Sequence, residues 1–285
     1  MQLTPRDKRI LEAIHAHDGL LSRAQIKRLF FTGDTQLRVR MTLLYQHGYV
    51  QRPSRKQRAS LPDLIYWLDD KGAALVAGLA GETLETFRYR QEPRWLQVEH
   101  DLAVNDVRIA FQQACEQSEG FSLAEWIPEG DFHAYPDRVA YSLPNGTRQS
   151  RNVTPDGFCG LSHLGRTFRF LLELDNRTSD NPRFGREKVL PGLAYLASSA
   201  YKQRFGVNAG QWLVVTTGKR RLHNLKQQTE RIAGKDAQRF SFTTLEAVSA
   251  ETILTAPIWL KGGEAGFQPL VSASEPIFAA TAGWR

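Results

Sequence analysis

The sequence has little cysteine: Cys115 and Cys159 are the only two in 285 residues. They are too few and too far apart for a zinc site built from clustered thiolates or imidazoles, and are expected as ordinary, partly buried thiols of a reducing compartment. Long apolar runs are also missing. No stretch reaches the roughly 18 apolar residues of a membrane-spanning helix, and the opening MQLTPRDKRI has no apolar signal region. A soluble, cytoplasmic chain with no membrane partner is the expectation. What the sequence does have is core material, 41% hydrophobic residues with six Trp, over a length that suggests two domains.

Past residue 80 the chain has almost no excess of either charge, with 24 Lys or Arg against 23 Asp or Glu in residues 81–285. Residues 1–80 hold 13 against 7. A positive field focused on one small module attracts duplex phosphates, because neutralising them releases condensed counterions. Double-stranded DNA is therefore the expected partner.

Residues 1–80 read as helix, helix, helix, basic hairpin, the order of a winged helix-turn-helix. Thr4 caps a first helix with Pro5 in its first turn and Ile10, Leu11 and Ile14 inward. Ser22 caps a second, Arg23 to Phe31, which turns Arg23, Lys27 and Arg28 outward. A third helix, about Thr35 to His47, buries Leu37, Met41 and Leu44 and ends at Gly48. Its exposed Gln36, Arg38 and Arg40 are residue types that reach base edges or phosphates from a major groove. Val39 and Leu43 form a second apolar stripe that could touch thymine methyls, meet a partner chain or pack on the wing. Strands Tyr49 to Arg52 and Asp63 to Leu68 then flank PSRKQRASLP, a flexible basic wing whose Arg55, Lys56 and Arg58, with Arg52 beside them, can grip phosphates. Asp70 to Leu79 closes the module as a short helix.

Residues 81–92 lack an apolar period and read as a linker. Residues 93–256 read as an α/β domain with a mixed sheet. It opens with a helix from Trp95 to Ser118, followed by strands Phe121 to Trp126, Pro155 to Gly160 and Thr167 to Leu174 around a turn-rich stretch reaching about Asn152. A helix over Arg186 to Phe205, a strand Gln211 to Thr217, a helix Arg221 to Ala233 and a strand Arg239 to Thr244 complete it. Residues 257–285, rich in Ala, Gly, Ser and Pro, are expected as a strap or a frayed tail.

Two segments of this domain carry candidate chemistry. TPDGF puts Asp156 at the start of one strand and FLLELDNRT puts Glu173 and Asp175 on one face of the next. Three carboxylates on a sheet face suit Mg²⁺ or Mn²⁺, which activate water for phosphodiester hydrolysis. Asp156, Glu173 and Asp175 are thus the candidate metal ligands and, in a nuclease, the catalytic residues. The bland alternative is structural: Asp175 pairs with Arg177 or Arg186. No cofactor is otherwise expected.

The Pro155-Asp156 and Glu173 positions resemble the PD-(D/E)xK nuclease superfamily, although Asp175 stands where that pattern has lysine. Lys188, in the following helix, could reach back as a migrated lysine, and Arg177 less well. Together with the run His100, Leu102, Asn105, these motifs resemble the replication-relaxation family across roughly residues 3–235. The resemblance implies a DNA-binding accessory protein of plasmid or mobile-element replication, copy control or mobilisation. It also implies a nuclease-like domain in which Glu-x-Asp is usual and catalysis is impaired. Two alternatives stay open: a divalent-metal-dependent DNA endonuclease and a winged-helix transcriptional regulator. Partner replication or mobilisation proteins fit the first reading, and a homodimer on two half-sites fits the fold class.

Overall fold

The computed structural model describes residues 1–176 and 181–271. The chain is mixed α and β and divides into two compact units, residues 1–109 and 110–285.

The first unit begins with α1 (Pro5–Ala16), β1 (Leu20–Ser22), α2 (Arg23–Phe30) and α3 (Asp34–Gln46). There follow β2 (Val50–Gln51), α4 (Arg55–Arg58), β3 (Ile65–Leu68) and α5 (Asp70–Leu79). Each of α1, α2 and α4 starts at a capping box, in which the hydroxyl of Thr4, Ser22 or Ser54 accepts the backbone N–H three residues on and that residue's side chain accepts the N–H of the capping residue. The strands form one antiparallel sheet in the order β1-β3-β2. Ile10, Leu11, Ile14, Ile26, Leu37, Met41 and Leu44 fill a core closed by Val50, Tyr66 and Leu68 of the sheet.

Three features of this unit differ from the sequence reading. β1 is only LLS, too short to show alternation, but pairs Leu20 with Trp67 and Ser22 with Ile65. The segment expected as a flexible wing contains a helical turn, α4, because Gln57 is placed to complete the Ser54 cap. Residues 81–92 belong to the unit: Phe87 is buried with its ring 4.4 Å from His15, and Arg90 bonds Asp18 at 2.5 Å. Their aromatics are irregularly spaced, which hid this packing from a periodicity argument. A 3₁₀ turn, Trp95–Gln97, then leads into α6 (Val98–Gln117), and the boundary between the units falls within that helix.

In the second unit come β4 (Phe121–Pro128), α7 (Glu129–Ala134), β5 (Asp137–Ser142), β6 (Arg148–Val153), β7 (Gly157–His163) and β8 (Arg166–Asp175). The short α8 (Asn181–Phe184), a π-helical turn (Gly185–Val189), α9 (Leu190–Leu196) and α10 (Ser199–Phe205) follow. The unit ends with β9 (Gln211–Thr216), α11 (Lys219–Ala233), β10 (Phe240–Thr244), β11 (Trp259–Lys261) and β12 (Phe267–Gln268). The main sheet has seven strands in the order β12-β11-β10-β9-β8-β7-β4, with β8, β9 and β10 parallel and the others antiparallel. Phe158, Leu171, Val214 and Phe242 of this sheet pack with Val189, Tyr195, Leu222 and Leu225 from the helices.

The turn-rich stretch before Asn152 holds α7 and a separate β5–β6 ribbon, whose mostly exposed side chains left no alternating apolar signal. The single helix expected over 186–205 is broken: Pro191 restarts it after the π turn and Ser198 caps α10. Part of the expected tail is sheet, since β11 and β12 extend it, while residues 272–285 lie outside the described residues. Among the described residues no helix is long and apolar enough to cross a membrane.

Candidate nucleic-acid surface and carboxylate site

The candidate DNA-contacting cations of the first unit fall into two groups. Four are held by carboxylates of the same unit. Arg23 lies 3.6 Å from Asp63, Lys27 2.8 Å from Asp34 and Arg28 2.9 Å from Asp106. Arg40 turns away from solvent: its Nε donates to Asp7 Oδ1 at 2.5 Å, and its other contacts are Asp7 Oδ2 and the Gln2 carbonyl. Asp7 is fully buried. Burial alone would raise its carboxyl, but donation from Arg40 and Thr4 outweighs that and holds its pKa below the usual carboxylate value. Arg40 is thus the internal partner of Asp7 in the α1 capping box, which removes it from the exposed face on which helical spacing puts it.

The other group is open. Arg38 on α3 and Arg55, Lys56 and Arg58 on α4 are exposed and have no ion-pair partner among the described residues. Gln36 is exposed beside them in sequence, and the Arg52 guanidinium stacks 4.1 Å from the Tyr45 ring centre. Val39 and Leu43 line a groove of about 610 Å³ between α1 and α3, with Phe31, Arg6 and Arg9 also on its walls.

The polar residues at the start of α6 serve the first unit. Asn105 Nδ2 donates to the carbonyls of His17 at 3.1 Å and Leu20 at 2.9 Å, bridging the turn between α1 and β1. Asp101 accepts from Arg90 at 3.0 Å and from Arg94. Leu102 packs with Leu20, Ile65 and Trp67, and its carbonyl receives Gln25 Nε2 at 2.8 Å. Of the run His100, Leu102, Asn105, the last two therefore fasten α6 to the helices and sheet before it.

In the second unit the alternation of β8 puts Leu171, Glu173 and Asp175 on one face, where Leu171 joins the core shared with Val189 and Leu222. Asp156, Glu173 and Asp175 are all buried. Asp156 Oδ2 accepts the Leu174 backbone N–H at 2.6 Å. Glu173 takes the Lys188 ammonium at 2.7 Å. Desolvation of that ammonium works against its charge, yet Glu173 and Asp156 together raise the Lys188 pKa above its usual value. The lysine that could reach back does so, from a π-helical turn of the kind often found at functional sites. Gly185 opens this turn against α11, where a Cβ would lie 2.2 Å from Ile232 Cδ1 and 2.7 Å from Gln228 Nε2.

Asp175 has a partner that the sequence reading did not name. Arg221 of α11 donates to both its oxygens at 2.8 Å, and Thr216 Oγ1 donates to Oδ2 at 3.0 Å. Arg177 lies outside the described residues. Among the described residues the three carboxylates do not all bring a ligand atom within 4.8 Å of the other two. The donor set thus fits a metal only in part: Asp156 and Glu173 offer oxygens, while Asp175 is tied to a guanidinium. Arg221 left no sequence signal, since its partner is 46 positions away.

A basic helical unit followed by a mixed-sheet unit, with the Asp156, Glu173 and Lys188 cluster on that sheet, defines a two-part α+β protein. The replication-relaxation family model matches residues 11–209, and the chain belongs to that family. No curated protein and no solved structure matches the chain. Family membership points to a role in replication or mobilisation.

Proposed function

We propose that the chain binds duplex DNA through α3 and α4 as an accessory protein in the replication or mobilisation of a plasmid or mobile element. The observation that carries this reading is the open group of cations, Arg38, Arg55, Lys56 and Arg58, in a unit where Arg23, Lys27, Arg28 and Arg40 are held by carboxylates and Arg52 stacks on Tyr45. The order of three helices and a three-stranded antiparallel sheet supports a winged helix-turn-helix, with α3 reading bases and α4 gripping phosphates. The test is a salt titration of the full-length chain on labelled duplexes. Replacing Arg55, Lys56 and Arg58 by Ala should flatten the log-log salt dependence by up to about 2.7, roughly 0.9 for each phosphate no longer neutralised. Absence of any duplex binding at low salt would sink the proposal.

In the same reading the second unit is a PD-(D/E)xK-like domain with impaired catalysis. Asp156 accepts an amide N–H, Glu173 an ammonium and Asp175 the Arg221 guanidinium, so each of the three already has a donor from the chain, which supports the impaired reading. A second reading, a DNA endonuclease, is favoured by the 2.7 Å Lys188–Glu173 contact alone. There Asp156 and Glu173 would hold Mg²⁺ or Mn²⁺, which would supply an activated water. Lys188 would release Glu173 and face the charge developing on the phosphate. Incubating supercoiled plasmid with the protein and either ion separates the two readings.

A further inference from the structure

α11 carries five cations, Lys219, Arg220, Arg221, Lys226 and Arg231, against one acid, Glu230. The helix uses two of them internally. Arg221 holds Asp175, and Lys226 pairs with Glu230, which also accepts the Gly263 N–H at 2.8 Å. The other three, Lys219, Arg220 and Arg231, are exposed, as is His223. Arg220, His223, Gln227 and Arg231 recur at steps of three, four and four, which places them in one stripe about 80° wide at 100° per residue. That stripe runs about 16 Å along the helix. Its opposite face buries Leu222 and Leu225.

Lys219, Arg220 and His223 have no ion-pair partner among the described residues, and Arg231 bonds only Gln228, at 2.8 Å. Lys219 and Arg220 also stand in the first turn, where the helix dipole is positive and cations are unfavourable unless an anion offsets them. Gly218 provides no side-chain cap there. The neutral total over residues 81–285 concealed this segregation, because the acids that cancel these cations lie elsewhere in the fold. α11 also lies beyond the residues matched by the family model.

We infer that the exposed stripe of α11 is a second DNA contact, which tracks the phosphate backbone of a duplex without reading its sequence. It rests on the proposal that this protein binds DNA, and adds a surface on the second unit independent of α3 and α4. Charge complementarity selects the occupant: two arginines without an ion-pair partner among the described residues, an imidazole and an amide between them, Lys219 beside the stripe in the first turn, and no exposed acid along it fit a line of phosphates. Because Arg221 anchors Asp175 from the buried side of the same first turn, DNA on the stripe would pass close to the end of β8.

The experiment compares full-length wild type, Lys219→Ala/Arg220→Ala/Arg231→Ala and Arg38→Ala/Arg55→Ala/Lys56→Ala/Arg58→Ala by anisotropy on two labelled duplexes of unrelated sequence across a salt series. The α11 variant should lose up to about 2.7 from the log-log salt slope, roughly 0.9 per cation. It should lose the same on both duplexes, with an unchanged melting temperature. Lys219→Arg/Arg220→Lys/Arg231→Lys should restore the wild-type slope, which keeps the test valid if the Ala variant melts early. A wild-type slope in the Ala variant overturns the inference and leaves the α3–α4 proposal standing if that variant is impaired. Loss in the α11 variant alone overturns the α3–α4 proposal and upholds this one. Binding of poly-glutamate that depends on the stripe, with duplex binding intact, would assign α11 to an acidic protein and overturn it. Absence of duplex binding by wild type overturns both.

Discussion

Lys188 donates to Glu173 at 2.7 Å from 15 residues further along the chain, and so supplies from a π-helical turn the ammonium that β8 itself lacks. Both the structural and the chemical reading of the carboxylate site depend on this pair.

Removing the lysine should therefore expose the balance. Lys188→Ala leaves buried Glu173 without its cation, and about 1–2 kcal/mol of stability should be lost. That is less than the ~3–5 for a fully buried pair, because the lysine side chain is 40% exposed. Adding Glu173→Gln should recover most of the loss in a double-mutant cycle by chemical denaturation. No nicking of supercoiled plasmid is expected with Mg²⁺ or Mn²⁺. Metal-dependent nicking that disappears in both Asp156→Ala and Glu173→Ala, with folding intact, would promote the endonuclease reading.

Arg38 and Arg40 are two positions apart and should fail in different ways. Arg40→Ala strands the fully buried Asp7 and should cost about 2–4 kcal/mol in thermal or chemical unfolding. Arg38→Ala should leave unfolding within about 0.5 kcal/mol of wild type while narrowing the difference in affinity between duplexes. If Arg40→Ala melts like wild type and only DNA preference changes, the internal role given to Arg40 is wrong.

His17 predicts an acid dependence of stability. It is 3% exposed, its Nδ1 lies 2.7 Å from the Ala13 carbonyl, and burial together with the Arg108 charge depresses its pKa to about 3. Between the unfolded value near 6.5 and about 3, only the unfolded chain binds the proton, so stability should fall as pH is lowered through that window. The slope from this group is at most about 1.4 kcal/mol per pH unit. His17→Gln should flatten the stability profile between pH 6 and pH 4, measured by urea unfolding; an unchanged profile would assign the acid sensitivity to other groups.

Asn105→Ala removes both of its bonds from the turn between α1 and β1, leaving the His17 carbonyl with only the long Leu20 N–H contact at 3.4 Å and the Leu20 carbonyl without this donor. A loss of about 1–3 kcal/mol is expected. Hydrogen exchange should quicken first at Leu20 to Ser22, and a variant with wild-type exchange there would show that Asn105 does not hold this turn.

The first three helices were legible because caps and apolar spacing are local: Thr4, Ser22, and the stripe Leu37, Met41, Leu44 lie within a few residues of what they organise. The β8 carboxylates were legible for the same reason, since strand alternation alone puts Glu173 and Asp175 on one face. Their partners were harder to read. Lys188 was visible as the better of two candidates, while Arg221 lay across a helix and a parallel strand pairing that no local pattern encodes. Arg40 was misplaced because helical spacing gives the direction of a side chain on its own helix but says nothing of a buried acid on another. Charge counting found the basic first unit and averaged away α11, where segregation of charge, with no net excess over the segment, is the signal.

At Gly185 the π turn lies so close to α11 that a methyl group there would meet the ends of the Ile232 and Gln228 side chains, so packing as well as charge bears on the Lys188–Glu173 contact. Opposite charge selects which groups meet, and the packing of the turn on α11 sets where the lysine starts from. A side chain at position 185 would have to push Ile232 and Gln228 aside or lift the turn, changing the reach of the lysine with every charge still in place. The site is therefore open to inactivation, and equally to gradual retuning, from a residue that has no chemistry of its own.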